Sequence, residues 1–131
     1  ARVRKAPAPG EWSLAEILDH VVTTQERLTA VIGGLVAGRK PAAPMEIGAT
    51  SGIAGLPWPE LVARLRRSQT ALSAVLTANR HEPHVDLRFP EGYFGDINWK
   101  EYALILRLHY KDHAGQAGKT LEALGGTGAT K

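Results

Sequence analysis

Residues 106–116 read LRLHYKDHAGQ, with His109 and His113 four positions apart. On a helix, residues i and i+4 project from one face. Tyr102, Ile105, Leu106, Gln116 and Leu124 fall on or near the same face, which therefore points inward. An imidazole turned inward needs a hydrogen-bond partner or a cation, because an unsatisfied buried polar group costs about 1–3 kcal/mol. Spacing alone does not decide between the two. With five histidines in the chain, a pair four apart arises by chance often enough that a metal site and a satisfied core pair are equal readings.

The helix that carries the pair has clear ends. Asn98 with Glu101 three residues on is a capping pair, and Gly125-Gly126 is a stop signal. The spacing predicts a helix from Trp99 to about Leu124. A second capping box, Ser13 with Glu16, opens a helix over Leu14 to Val36, marked by Leu14, Ile17, Leu18, Val21, Leu28, Ile32 and Leu35. Between them WPELVARLRRSQTALSAVLTANR (58–80) reads as a third helix. Pro59 suits its first turn, and Leu61, Leu65, Leu72, Val75 and Leu76 form its apolar stripe. Arg64, Arg66 and Arg67 lie off that stripe as a solvated face.

The connecting stretches are rich in breakers. Residues 38–57, GRKPAAPMEIGATSGIAGLP, show no sustained period and read as a crossover, a pocket wall or disorder. HEPHVDLRFPEGYFGDI (81–97) reads as a loop with one short extended piece at Val85 to Phe89. Residues 1–10 form a Pro-rich linker and 125–131 a flexible tail to a single domain spanning 1–131. Three long amphipathic helices without a strand pattern make an all-α bundle.

Composition narrows the function. No cysteine is present, so disulfides, thiolate metal sites and a cysteine nucleophile are excluded, and any metal must be held by His, Asp or Glu. Net charge is +3 with scattered Lys and Arg, which argues against a nucleic-acid partner. No apolar run is long enough to span a membrane, and ARVRKAPAPG is not a secretory signal. The cytoplasm is the expected location.

His20 is the candidate third ligand. It sits in the first helix at the edge of the apolar stripe, where a lone histidine is ordinarily a satisfied boundary residue. One imidazole from the first helix and two from the last would nonetheless make a three-nitrogen site with open positions. Glu16 and Asp19 flank His20 and are candidates to orient it, although the simpler reading leaves both as surface charges. His81 and His84 lie in the loop around Pro83 and read as exposed.

EWSLAEILDHV (11–21) resembles the W-S-x-x-E-[IVL]-[LV]-x-H-[LIV] stretch of the DinB/YfiT-like superfamily. FGDINWKEYALILRLHYKDHAGQ (94–116) resembles its second signature, which leads to H-x-x-x-H-x-x-Q. The resemblance covers about residues 7 to 124. It implies a DinB-like four-helix bundle with a long crossover, and a divalent metal, zinc or nickel, on His20, His109 and His113. It also implies a homodimer that acts on a small-molecule substrate. Relatives include thiol-dependent transferases and isomerases that use a low-molecular-weight thiol such as bacillithiol or mycothiol. The family's helix before the W-S motif has no counterpart in these residues, so one side of the bundle is expected to lie uncovered. Gln116, one turn beyond His113, is the candidate substrate-binding residue. Tyr102 and Tyr110 read as packing residues, and Asp112 lies about 100° around the helix from His113, so no general base stands out. The alternatives are a non-catalytic bundle in which the ion clamps two helices and a metal-dependent hydrolase.

Overall fold

The structure is a computed structural model that describes residues 2–43 and 48–125. The tail expected at the C-terminus lies, from residue 126, outside them. Among the described residues the chain forms three α-helices, α1 (Leu14–Val36), α2 (Trp58–Ala78) and α3 (Trp99–Ala123), and one small hairpin, β1 (Phe89–Glu91) with β2 (Gly95–Ile97). The all-α bundle is thus observed, and no described helix is long and apolar enough to cross a membrane.

Both capping boxes close as their residue types dictate. The Ser13 side chain accepts from the Glu16 amide at 3.2 Å while the Glu16 carboxylate accepts from the Ser13 amide at 2.7 Å. Asn98 and Glu101 repeat the exchange at the head of α3, both bonds at 3.0 Å. Each pair satisfies helix N–H groups that would otherwise be left without partners.

Helix α1 is the central element and packs against both α2 and α3. Its C-terminal half supplies Leu28, Ile32 and Leu35 to the main core, where they meet Trp99, Tyr102 and Leu106 of α3. The half-buried Leu72, Val75 and Leu76 of α2 pack on this cluster. Arg64 of α2 reaches Glu26 of α1 with two bonds of 2.9 and 3.1 Å, whereas Arg66 and Arg67 are exposed.

The hairpin corrects the expected extended piece at Val85 to Phe89. The strand begins at Phe89, and the ladder pairs it with Ile97, burying both in the core. The Glu91 carboxylate draws the turn together by accepting from the amides of Tyr93 (2.9 Å) and Phe94 (3.0 Å). Gly95 takes the left-handed φ of 73° that the turn requires. The Tyr102 hydroxyl donates to the Pro90 carbonyl at 2.6 Å and so fixes the hairpin to α3.

The segment after α1 is a crossover. It runs back along the bundle to the N-terminal half of α1, where Ala49, Ser51 and Ala54 meet His20 and Asp19. Among its described residues it holds one 3-10 turn, at Ile53–Gly55. The N-terminal residues, read as an irregular linker, hold a 3-10 turn at Arg2–Arg4, and the Arg4 guanidinium donates to the carbonyls of Ala54 and Leu56 in that crossover. On the outer side of α3, Leu104 and Leu108 are more than half exposed, at 56% and 55%.

Ile32 is fully buried at the centre of the core. Ile32→Ala is expected to cost about 2–5 kcal/mol, and Arg67→Ala less than about 0.5 kcal/mol; urea unfolding followed by circular dichroism measures both.

Candidate metal centre

Antiparallel packing of α1 and α3 brings the N-terminal half of α1 beside the middle of α3, and three imidazoles meet there. The ring centroids of His20 and His109 are 4.8 Å apart, those of His20 and His113 4.7 Å, and those of His109 and His113 4.4 Å. One ring nitrogen from each lies within 4.8 Å of the others, a grouping able to hold a metal ion. The helical i, i+4 spacing places His109 above His113 on one face, and His20 closes the triangle from α1. Among the described residues His81 and His84 join no such group; both are exposed.

Two of the three rings have a partner outside the cluster. His20 Nδ1 lies 2.8 Å from the carbonyl oxygen of Ala49. A carbonyl only accepts, so Nδ1 carries the proton. Burial lowers the His20 pKa, partly offset by this bond, and the neighbouring His113 lowers it further. The ring is therefore neutral at pH 7, and its Nε2 is a bare lone pair turned into the cluster. His113 Nδ1 likewise has an oxygen partner, donating to Gln116 Oε1 at 2.6 Å. His109 Nε2 stands 2.9 Å from His20 Nε2. Burial, then the neighbouring His113 and His20, push His109 down to about 4.

Those features fit a cation. Neutral imidazoles are the form that binds metal, and ligand histidines ordinarily donate their second N–H to a carbonyl, a carboxylate or water. His20 and His113 both do so. Zinc and nickel suit an all-nitrogen set.

Around the cluster the structure adds Trp12 and Ala49, which the sequence reading did not assign to the site, and decides between two readings of Asp19. Trp12, the aromatic residue of the W-S stretch, lies with its ring centroid 5.0 Å from His20 and 6.4 Å from His113, stacked on the latter. Its place in that stretch was the available signal. Ala49 contributes only a backbone oxygen, for which no side-chain pattern exists. Asp19, a candidate to orient His20 whose simpler reading is a surface charge, is 3% exposed. Its Oδ1 accepts from Thr23 Oγ1 (3.0 Å) and the Ser51 amide (2.9 Å), and its Oδ2 from the Ala54 amide (3.2 Å). Glu16 is exposed, as read, and serves as the helix cap.

Gln116 faces the cluster through His113 and also lines a cavity of about 680 Å³ with Trp12, Lys119 and Thr120. Tyr102 packs in the core, and Tyr110 lies on the far side, in the groove between α2 and α3.

The DinB superfamily matches residues 1–117. The crystal structure of TT2238, a four-helix bundle protein, aligns with a TM-score of 0.62 at 20% identity, over 93% of this chain and 79% of that one; at this identity the likeness concerns the fold. No curated protein matches.

The lowered pKa of His109 has a consequence for stability in the metal-free protein. The unfolded chain protonates this ring near 6.5, the folded one only near 4. Between those values the unfolded state binds more protons, so stability falls as pH drops through the window and is restored above it. Thermal unfolding of metal-free protein should show Tm level above roughly pH 7 and falling below it, with a shallower fall in His109→Gln.

Proposed function

The chain belongs to the DinB superfamily, and from that premise we propose that it is a metal-dependent enzyme whose zinc or nickel ion is held by His20, His109 and His113. The reaction we assign is thiol S-transfer or isomerisation with a low-molecular-weight thiol as cosubstrate. The observation that carries this reading is the meeting of three imidazoles in which His20 and His113 each donate Nδ1–H to an oxygen, as ligand histidines do. An ion bound by imidazoles keeps its full positive charge and lowers the pKa of a thiol or water it meets.

The residues around the cluster support catalysis over a closed structural clamp. His109 and His113 are only partly buried, and the cavity of about 680 Å³ begins at Trp12 and Gln116. Gln116 has two roles in this reading. Its carbonyl oxygen orients His113, while its amino group is left to donate to a small-molecule substrate in the cavity. The Trp12 indole forms an apolar wall that keeps water from the rings, and Lys119 places a cation where a charged end of the substrate would rest. A nucleophile that arrives as a cosubstrate is consistent with a chain that has no cysteine. We further assign the protein to the cytoplasm and to a homodimer, the latter supported by the exposed Leu104 and Leu108 on α3.

Metal analysis of the purified protein beside His20→Ala, His109→Ala and His113→Ala tests the site. Stoichiometric metal in the wild type and its loss from each variant, with helical circular dichroism intact, is the expected result. Stoichiometric metal in all three variants refutes it. Conjugation of a thiol to an electrophile should fall by roughly 100-fold or more in each, since even residues outside the ligand set are worth about 10–100-fold. Ester or amide hydrolysis without thiol dependence would move the assignment to a hydrolase.

A further inference from the structure

Asp19 is a carboxylate with 3% exposure and no cationic side chain bonded to it among the described residues. Burying a carboxylate is costly unless hydrogen bonds satisfy it. Here they come from the crossover and from one hydroxyl: Ser51 N–H, Ala54 N–H and Thr23 Oγ1. Ser51 Oγ also lies 2.7 Å from Thr23 Oγ1, which closes a small ring of bonds. Asp19 thus fastens residues 51–54 to α1. Two residues before Ser51, on the same strap of chain, stands the Ala49 carbonyl that takes the His20 Nδ1–H. Asp19 and His20 are adjacent in sequence and project from α1 about 100° apart, so one helix turn holds both the anchor of the crossover and the ring that the crossover orients.

We infer that Asp19 is a positioning residue for the metal centre: by clamping the crossover to α1 it holds the Ala49 carbonyl against His20 Nδ1 and keeps His20 Nε2 free for the cation. The inference rests on the three-histidine reading above. An aspartate suits this task where asparagine does not. Its two oxygens accept from both sides, whereas the amino group of an asparagine must face a donor, either the Ala54 N–H or the pair formed by the Ser51 N–H and Thr23 hydroxyl. One contact is lost and a donor–donor clash replaces it. The released crossover no longer presents Ala49, and His20 becomes free to carry its proton on either nitrogen.

The test compares Asp19→Asn, Thr23→Val, His20→Ala and the distant core variant Ile32→Ala with wild type. Zinc affinity is read by competition with a chelating dye, and the His20 tautomer by long-range ¹H–¹⁵N NMR on metal-free protein. Zinc affinity should fall about 10–100-fold in Asp19→Asn and by a smaller factor in Thr23→Val, which keeps the carboxylate and both amide contacts. The single Nδ1–H signature of His20 should give way to a mixture in Asp19→Asn. Ile32→Ala should lose stability while keeping both affinity and tautomer. Wild-type affinity and tautomer in Asp19→Asn, with zinc lost in His20→Ala, overturn the positioning role alone. Unchanged affinity in His20→Ala overturns the metal reading beneath it. Equal losses in Ile32→Ala mark a general effect of destabilisation and also overturn the inference. Should Asp19→Asn not fold, Thr23→Val decides: unchanged affinity and tautomer there count against the clamp.

Discussion

Two imidazole nitrogens with bare lone pairs cannot rest 2.9 Å apart unless something positive lies between them. His20 Nε2 is such a nitrogen, because its Nδ1–H is spent on Ala49, and His109 Nε2 faces it at that distance. The contact is made either by His109 Nε2–H donating to His20 Nε2 or, with both nitrogens bare, by a cation, and the neighbouring side chains surround that contact. Burial keeps both rings neutral. Gln116 turns the third ring to face the same point, and Trp12 closes over two of the three.

The cost of this arrangement is a polar interior at one end of the molecule. From Leu14 to Gln25 every residue of α1 except Glu16 and Leu18 is buried, and Asp19, His20, Thr23, Thr24 and Gln25 are among them. An ordinary bundle helix buries one stripe. Here the lead-in, the crossover and α3 wrap the other sides. The crossover is tolerable as a covering element because its own amides find a carboxylate acceptor in Asp19. The other half of α1 follows the usual pattern, with Leu28, Ile32 and Leu35 forming a dry core.

That division explains what could be read from the residues alone. The helices were legible because local rules decide them: Ser13–Glu16 and Asn98–Glu101 mark two starts, and the apolar spacing that follows marks the faces. His109 and His113 were legible as a pair for the same reason. His20 could be nominated from its helix and from its likeness to a family stretch, but its tautomer depends on an oxygen 29 residues away in sequence. Of the two readings of Asp19 the surface charge fails, because a single-stripe picture puts a charge beside the stripe on the surface and no local signal shows that a second wall covers it. The three-residue strands of the hairpin are too short to show an alternating pattern, and what sets them is the burial of Phe89 and Ile97 in one core with the distant Leu28, Ile32 and Leu35.

His20 and His109 are separated by 89 positions, with two helices' worth of chain between them. No fragment that stops before α3 contains the triad, and α3 alone carries only two of its members. The cluster thus depends on contacts between distant parts of the chain, unlike compact zinc modules in which the ion gathers a short loop and drives folding. A site of this kind is set by the packing of α1, α3 and the crossover together, so whatever loosens their contacts loosens the geometry of the three rings.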